Sequence, residues 1–311
     1  MNSYTPLVTI GIPTYNRAEM LRRSIESALC QDHSMIEVII SDNASTDNTQ
    51  VVCQEFCKND VRVKYVAQSY NIGSTANFSA VLKKASGEYF MWLADDDWLD
   101  PSYVRRCVEL HETYPDTTLA SGRAVFHFAD GVVRHGIAVQ AKSSSRAMRI
   151  FKYLALVRDN SGFYGLMRKS DLSRIKLKNV IGGDWLLVMC LAHLGKIRVY
   201  PGVVLHRSIG GASDDFKKLV RSFGLTGILQ YFPYIAMGRE VVNEIIRNNK
   251  IFGSKWLVWR CIMAGTAAMT LVLCQGVMWR LISQTSKTLI NIIGPERSAV
   301  FRDAIRRFIG V

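Results

Sequence analysis

Three adjacent carboxylates, Asp95, Asp96 and Asp97, follow the apolar run Tyr89–Leu93 and precede Trp98-Leu99-Asp100-Pro101. Like charges this close repel, so something must offset them. A hard divalent cation on oxygen ligands would do so, and Mg2+ or Mn2+ would then bridge to a phosphate. A solvated acidic turn with an aspartate capping the next helix is the other reading, and residue type alone does not choose between them. Asp42 stands in the segment SDNASTDNT. That composition suits a turn with helix caps, and equally an acceptor for a base N–H in a nucleotide pocket. Asp184 lies in Gly182-Gly183-Asp184-Trp185, ahead of an apolar helix. It reads either as an N-cap held by the helix dipole or as a general base. The glycines would let a substrate approach, and Trp185 would offer an apolar platform.

These groups need elements to hold them. Leu7–Ile12, Ile36–Ile40, Val61–Ala67 and Tyr89–Leu93 read as strands. Ala18–Leu29, Thr49–Lys58 and Ala76–Ala85 read as helices between them, the first with Leu21, Ile25 and Leu29 on one face. Strand–helix alternation with short links predicts an α/β fold with a mostly parallel sheet flanked by helices. Ligands in such folds bind beyond the carboxyl ends of the strands. Thr14-Tyr15-Asn16-Arg17, Asp42-Asn43 and Asp95-Asp96-Asp97 each follow a strand, so they converge on one edge. Later segments are less regular: helices over Pro101–Tyr114, Ser145–Val157 and Trp185–Leu194, and strands over Leu119–Phe128 and Ile197–Leu205, the last interrupted by Pro201-Gly202. Of six histidines, none forms a metal-binding pair, and only His206, beside Arg207, stands near the expected site.

The chain has 311 residues with 49% hydrophobic content and 21% charged, enough for one large domain or a domain with a smaller module. Its net charge of +13 is uneven: 14 Lys/Arg against 4 Asp/Glu lie in residues 216–311. A basic balance points to an anionic partner. Seven cysteines show no metal or disulfide framework, which suggests a reducing compartment, and the first residues carry no signal-peptide pattern.

These motifs, in this order, resemble the family 2 glycosyltransferases, inverting enzymes of the GT-A fold. The resemblance covers roughly residues 7–213 and rests on VTIGIPTYNR at 8–17, EVIISDNASTDNT at 37–49, Asn71-Ile72-Gly73, ASGEYFMWLADDDWLDP at 85–101 and GGDW at 182–185. It is greatest to the bacterial enzymes of surface polysaccharide, O-antigen and capsule. The resemblance implies that Thr14, Tyr15, Asn16, Arg17 and Asn71 line the nucleotide pocket, with Asp42 accepting from the base. It implies that Asp95 and Asp96 contact the donor, that Asp95, Asp96 and Asp97 supply the metal ligands, and that Asp184 is the catalytic base. The donor would be a nucleoside-diphosphate sugar, UDP first, with dTDP or CDP also suited. The acceptor would be a saccharide, free or polyprenyl-linked. Two departures stand out. Leu93 is followed by Ala94 where many relatives carry a further aspartate, which leaves open which aspartate is the main metal ligand. Ile209 stands where many relatives place a histidine after the last strand. The processive QxxRW motif is absent, which favours transfer of one sugar.

Beyond about Ser213 the pattern turns helical, predicting a basic module over 214–311 that meets an anionic membrane or a second copy of the chain. Cys261–Trp279 is a 19-residue uncharged stretch, flanked by Trp256, Trp259, Trp279 and basic residues. It reads as a helix on the membrane, a span, or a packed helix in a soluble subdomain. The implied location is the cytoplasmic face of the cell membrane. Nucleic-acid binding is not expected, because the strand-end loops are acidic. A nucleotide-sugar-forming nucleotidyltransferase would need a glycine-rich loop after the first strand, and PTYNR stands there instead. The non-enzymatic alternative is a basic membrane-bound scaffold.

Overall fold

A computed structural model describes residues 4–209, 220–253 and 257–277. The first half follows the expected alternation: β1 Val8–Thr14, α1 Ala18–Leu29, β2 Ile36–Asp42, α2 Thr49–Asn59, β3 Val63–Ala67, α3 Ser74–Lys84 and β4 Tyr89–Trp92. β1 and β2 are buried along their whole length, as strands covered on both faces must be. After β4 come β5 Trp98–Leu99, α4 Tyr103–Thr113, β6 Thr117–His127, β7 Val133–His135 and α5 Arg146–Leu156. A 3-10 turn over Ser161–Tyr164 leads into β8 Leu166–Arg168, the short α6 Lys169–Leu172, α7 Gly183–Leu194 and β9 Lys196–Ser208.

Among the described residues the strands form one sheet in the order β3-β2-β1-β4-β8-β6-β9-β5, with β7 on β6. β3, β2, β1 and β4 are parallel, β8 runs antiparallel between β4 and β6, and β6 and β9 are parallel to each other. The architecture is thus the mixed α/β sheet with flanking helices that the alternation predicts.

Two strand expectations are corrected. β1 continues through Pro13 to Thr14, and β9 runs through Pro201-Gly202 to Ser208. The second is accommodated by a register shift against β6 between Ser121 and Arg123. A bulge is where a residue without an N–H is tolerated. Gly122 sits at that shift, and any side chain there would strike the Val203 carbonyl.

Alternation along the strands splits the core. Val8, Ile10, Ile12, Val38 and Ile40 pack with Leu21 and Ile25 of α1 and with Val104 and Cys107 of α4. Ile39, Phe90 and Trp92 pack with Val81 of α3, with α5, and with Leu187, Val188 and Leu191 of α7. Three helices follow: the short α8 Ile228–Tyr231, then α9 Pro233–Arg247 and the short α10 Asn249–Phe252. Finally α11, Leu257–Leu271, continues as a π-helical turn over Val272–Val277. Ala236, Met237, Val241 and Ile245 of α9 and Met263, Ala264, Ala267 and Leu271 of α11 join the α7 core rather than forming one of their own. The boundary at Ser213, Gly210-Gly211, Trp256, Trp279 and most of the basic residues that follow lie outside the described residues.

α11 is two-faced. Buried Arg260 donates to the Ile245 carbonyl at the end of α9, and Gln275 donates to the Leu154 carbonyl of α5. The opposite face carries Val258, Trp259, Ile262 and Met269, all more than half exposed. The stretch Leu257–Gln275 runs 19 residues and contains an 18-residue window of mean hydropathy 1.7, long and apolar enough to cross a membrane by length and composition.

Candidate active site

The carboxyl ends of β1, β2 and β4 bring the first-half motifs together, because neighbouring parallel strands end side by side. Asn16 holds a positive φ of 53°, which turns the chain sharply between β1 and α1. Its amide oxygen accepts from the Thr46 N–H at 2.7 Å, and its own N–H donates to Ser45 Oγ at 2.8 Å. The PTYNR loop is thereby stitched to the SDNAST loop. Thr14 is buried and Tyr15 is exposed at the mouth. Asp42 is buried with both oxygens engaged, one by the Ser45 N–H at 2.9 Å and the other by the Tyr65 hydroxyl at 2.8 Å. Asn71 accepts from Asn43 Nδ2 and from the Gly73 N–H, both at 2.9 Å, and so closes the pocket from the β3 side.

The three adjacent aspartates do not act alike. Arg17 Nη1 lies 2.5 Å from Asp96 Oδ2 and 3.9 Å from Asp95 Oδ1, tying that pair to the loop after β1. Asp97 turns away: Arg207 Nε donates to one oxygen at 3.2 Å and the Ser208 N–H to the other at 3.1 Å. Its carbonyl accepts from Ser24 Oγ of α1. Among the described residues, no group of three His, Cys, Asp or Glu side chains converges as a metal cage. Burial pushes the Asp95 carboxyl up to about 6, and the charge of Asp96 beside it pushes the same way. Burial likewise lifts Asp97 to about 7, against the pull of Arg207 and with the push of Asp96.

The turn is pinned from behind. Trp98 pairs with His206 across β5 and β9, and the two rings stack 5.0 Å apart. Arg23 covers Trp98 at 3.7 Å and donates to the Asp96 carbonyl at 3.0 Å. His206, the histidine nearest the expected site, hydrogen-bonds Asp100 at 3.1 Å and His127 at 3.0 Å. It braces the aspartate turn.

Asp184 lies in the first turn of α7, whose N-cap is Gly182 rather than Asp184. Gly182 has a φ of +70° and packs against Met237 of α9, so that helix supports this loop directly. Asp184 is half-buried. Burial raises its pKa, opposed by a hydrogen bond from Asn160 Nδ2 at 2.8 Å. Arg207 joins the two ends of the site. It binds Asp97, its charge is felt by Asp184, and its Nη1 reaches the Ser161 hydroxyl at 3.4 Å. The half-buried Tyr164 feels Asp97, Asp184 and Asp96 together, so all three carboxylates share one neighbourhood. Asn160 and Arg207 carry no motif signal. Only the position of Arg207, beside His206 after the last strand, pointed toward the site.

An acidic turn at the carboxyl edge of parallel strands, on this sheet order, fits the GT-A fold. The family model for Glycosyl transferase family 2 matches residues 9–176, more than half of the chain, and the chain belongs to that family. It is similar to the GalNAc(5)-diNAcBac-PP-undecaprenol beta-1,3-glucosyltransferase of Campylobacter jejuni, 40% identical over 95 residues, or 30% of this chain and 31% of that protein. It is also similar to the chondroitin synthase of Escherichia coli, 39% identical over 116 residues, or 37% of this chain and 16% of that one. Such matches span at most 33% of the relatives' length. Among solved structures, S. aureus TarS 1-349 in complex with UDP-GlcNAc aligns with a TM-score of 0.61 at 16% identity, over 94% of this chain and 82% of that one. The mannosyltransferase PcManGT from Pyrobaculum calidifontis, in complex with GDP-Man and Mn2+, gives 0.54 at 14% identity, over 96% and 84%. At such identities these structures establish the fold.

Proposed function

We propose that this enzyme transfers one sugar, with inversion, from a nucleoside-diphosphate sugar to a saccharide or polyprenyl-linked saccharide in bacterial surface polysaccharide synthesis. The observation that carries the reading is proximity: a carboxylate pair beside Arg17, and a half-buried Asp184 that shares the neighbourhood of Tyr164 with Asp96 and Asp97.

At the donor end, Thr14, Tyr15, Asn16 and Asn71 line the nucleotide pocket. Asp42 keeps lone pairs beyond those used by Ser45 and Tyr65, and would accept from a base N–H. Uracil suits it first, and thymine or cytosine nucleotides next. The donor set at Asp95 and Asp96 fits a hard divalent cation, since both offer closely spaced carboxylate oxygens, and burial together with the charge of Asp96 raises the Asp95 carboxyl to about 6, which a bound cation would offset. Two carboxylates suffice where a diphosphate completes the coordination, so Asp95 and Asp96 would hold Mn2+ or Mg2+. Such an ion supplies Lewis-acid stabilisation of the leaving diphosphate. Asp97, tied to Arg207 and Ser208, shapes the turn. Arg17 places a fixed positive charge beside the same pair.

At the other end, Asp184 takes the proton from the attacking hydroxyl. A base and a leaving group on opposite faces of one sugar give a single displacement and an inverted anomeric centre. That the Campylobacter jejuni relative is named for an undecaprenol-linked substrate supports a polyprenyl-linked acceptor here. Such an acceptor gives the exposed apolar face of α11 a use: it rests on the cytoplasmic face of the cell membrane, with the basic 214–311 module drawn to anionic lipid. A second copy of the chain is the other partner that face would suit.

A thermal-shift series with UDP, dTDP, CDP and GDP, each with Mn2+ or EDTA, tests the donor assignment. Bound ligand raises stability as RT ln(1 + [L]/Kd), so UDP with Mn2+ should give the largest shift. Equal shifts in Mn2+ and EDTA would remove the metal from the account. Flotation with liposomes, followed by a salt wash, tests the membrane. Peripheral binding should need anionic lipid and wash off.

A further inference from the structure

Asn160 stands out because its backbone is unusual and both its amide oxygen and its amide nitrogen are engaged. It adopts φ 47° and ψ 32°, a left-handed conformation that non-glycine residues seldom take. It is buried at the entrance to the Ser161–Tyr164 turn. Its amide oxygen accepts from the Tyr153 hydroxyl at 2.7 Å, and its amide nitrogen donates to Asp184 Oδ2 at 2.8 Å. The network fixes which way the amide points. Tyr153 is buried in α5, and burial raises its hydroxyl well above the ordinary value, so it stays a donor. A donor must meet the amide oxygen, and that leaves the amide nitrogen for Asp184.

The backbone on either side of Asn160 is held as firmly. Asp159 accepts from the Ser161 N–H at 2.8 Å and from the Ile137 N–H at 3.0 Å. Arg207 comes within 3.5 Å of the Asp159 carbonyl. Among the described residues, Asn160 is the only side chain that hydrogen-bonds Asp184. Arg207 is the charged side chain felt by the carboxylate, Tyr153 and Tyr164 both feel Asp184 in turn, and Asp159, Asp96 and Asp97 lie around those two tyrosines.

We propose that Asn160 is a positioning residue for Asp184: oriented by Tyr153, its amide holds Asp184 Oδ2, beside the backbone N–H groups of Trp185 and Asp184, and so sets how the carboxylate meets the acceptor hydroxyl. A hydrogen bond to the charged form also favours that form, so the same contact keeps the base ready to accept a proton. The inference rests on Asp184 being the base of the proposed transfer.

Asn160→Gly tests it, because glycine accepts the left-handed backbone and deletes only the amide. We expect kcat to fall about 10–100-fold while UDP affinity changes less than about twofold, the pattern of a group that acts on the chemical step. The acid limb of the kcat/KM profile should move up by roughly one pH unit, because losing a donor raises the carboxyl pKa. Tyr153→Phe, which frees the amide to turn, should shift both readouts the same way by less. A kcat loss in Asn160→Gly with an unmoved acid limb would mark a merely structural loop and overturn the proposal, as would unchanged kcat. If Asn160→Gly does not fold, Tyr153→Phe decides, and wild-type kcat with a wild-type limb overturns it. Asp184→Asn, run alongside, separates the two ideas. An active Asp184→Asn removes the base assignment, whereas an inactive one beside a wild-type Asn160→Gly removes only the positioning role.

Discussion

The proposed donor end is made by three strands that pair side by side, β2, β1 and β4, each ending at its motif. The base end has no such economy: Asp184 opens a helix, Asn160 reaches it from 24 positions earlier, and Arg207 meets Asp97 across 110 positions of chain. The first arrangement is what a parallel sheet does by default, since strand carboxyl ends lie together. The second depends on α5, α7, β9 and the helices beyond Val220 all packing correctly. Local changes should therefore damage nucleotide binding at one end, while changes to distant packing should damage catalysis at the other.

The largest effect should come from removing the packing itself. Truncation after Ser213 takes away Met237, Val241, Ile245 and Ala264 and uncovers the apolar face of α7. Burying several such side chains stabilises by about 1.5–3 kcal/mol each, so their joint loss exceeds the margin of a typical fold. The truncated chain should be insoluble, or bind a hydrophobic dye without a cooperative melt. A cooperative melt with retained UDP binding would show that the two parts of the chain are independent.

The next effect is confined to the donor end. Asp96→Asn leaves Arg17 without its closest carboxylate and removes a candidate metal ligand. Charge-assisted contacts of this kind are worth about 1.5–3 kcal/mol, so UDP affinity in Mn2+ should fall about 10–100-fold. Calorimetry in EDTA should show little change on the same substitution. An equal loss in both conditions would assign Asp96 to the fold instead.

A smaller, graded effect follows from pH. Asp95 sits near 6 and Asp97 near 7, both above the ordinary carboxylate value of 3.8. Groups with raised folded values bind more protons folded than unfolded. Their contribution to stability is fully present below the unfolded value and is lost as pH rises through about 6 to 7. A cation needs the deprotonated carboxylates, so its affinity runs the opposite way. The rise in Tm caused by Mn2+ with UDP should be small near pH 5.5 and large near pH 8. A shift of equal size at both would place the cation away from Asp95. The smallest effect should be Ile262→Glu on the exposed face of α11. Stability should change by less than about 0.5 kcal/mol, while liposome flotation weakens.

How much of this was readable in the chain divides along the same line. Leu21 and Ile25 mark α1 by their spacing, the runs before Thr14 and Asp42 mark buried strands, and their polar ends mark the pocket. β5 and β8 have two and three residues, too few for any period, yet β5 fixes the aspartate turn and β8 joins the two halves of the sheet. The break expected at Pro201 disappears into a bulge whose partner, Gly122, lies on another strand. Asn160 is one asparagine among many until its left-handed backbone and its contact with Asp184 are seen together. The resemblance carried over the motif residues, and the packing supplied the groups that orient them.

The central claim is that the two ends have separate tasks, binding and proton removal. The most direct test is Asp184→Asn, measured for UDP affinity in Mn2+ and for sugar transfer in the same preparation. The substitution keeps the shape and removes the basicity. UDP affinity should stay within about twofold of wild type while turnover falls about 10²–10⁴-fold, the usual worth of a positioned base. Near-normal turnover would leave Asp184 only its place in the first turn of α7, and a parallel loss of UDP affinity would show that the two ends are one site.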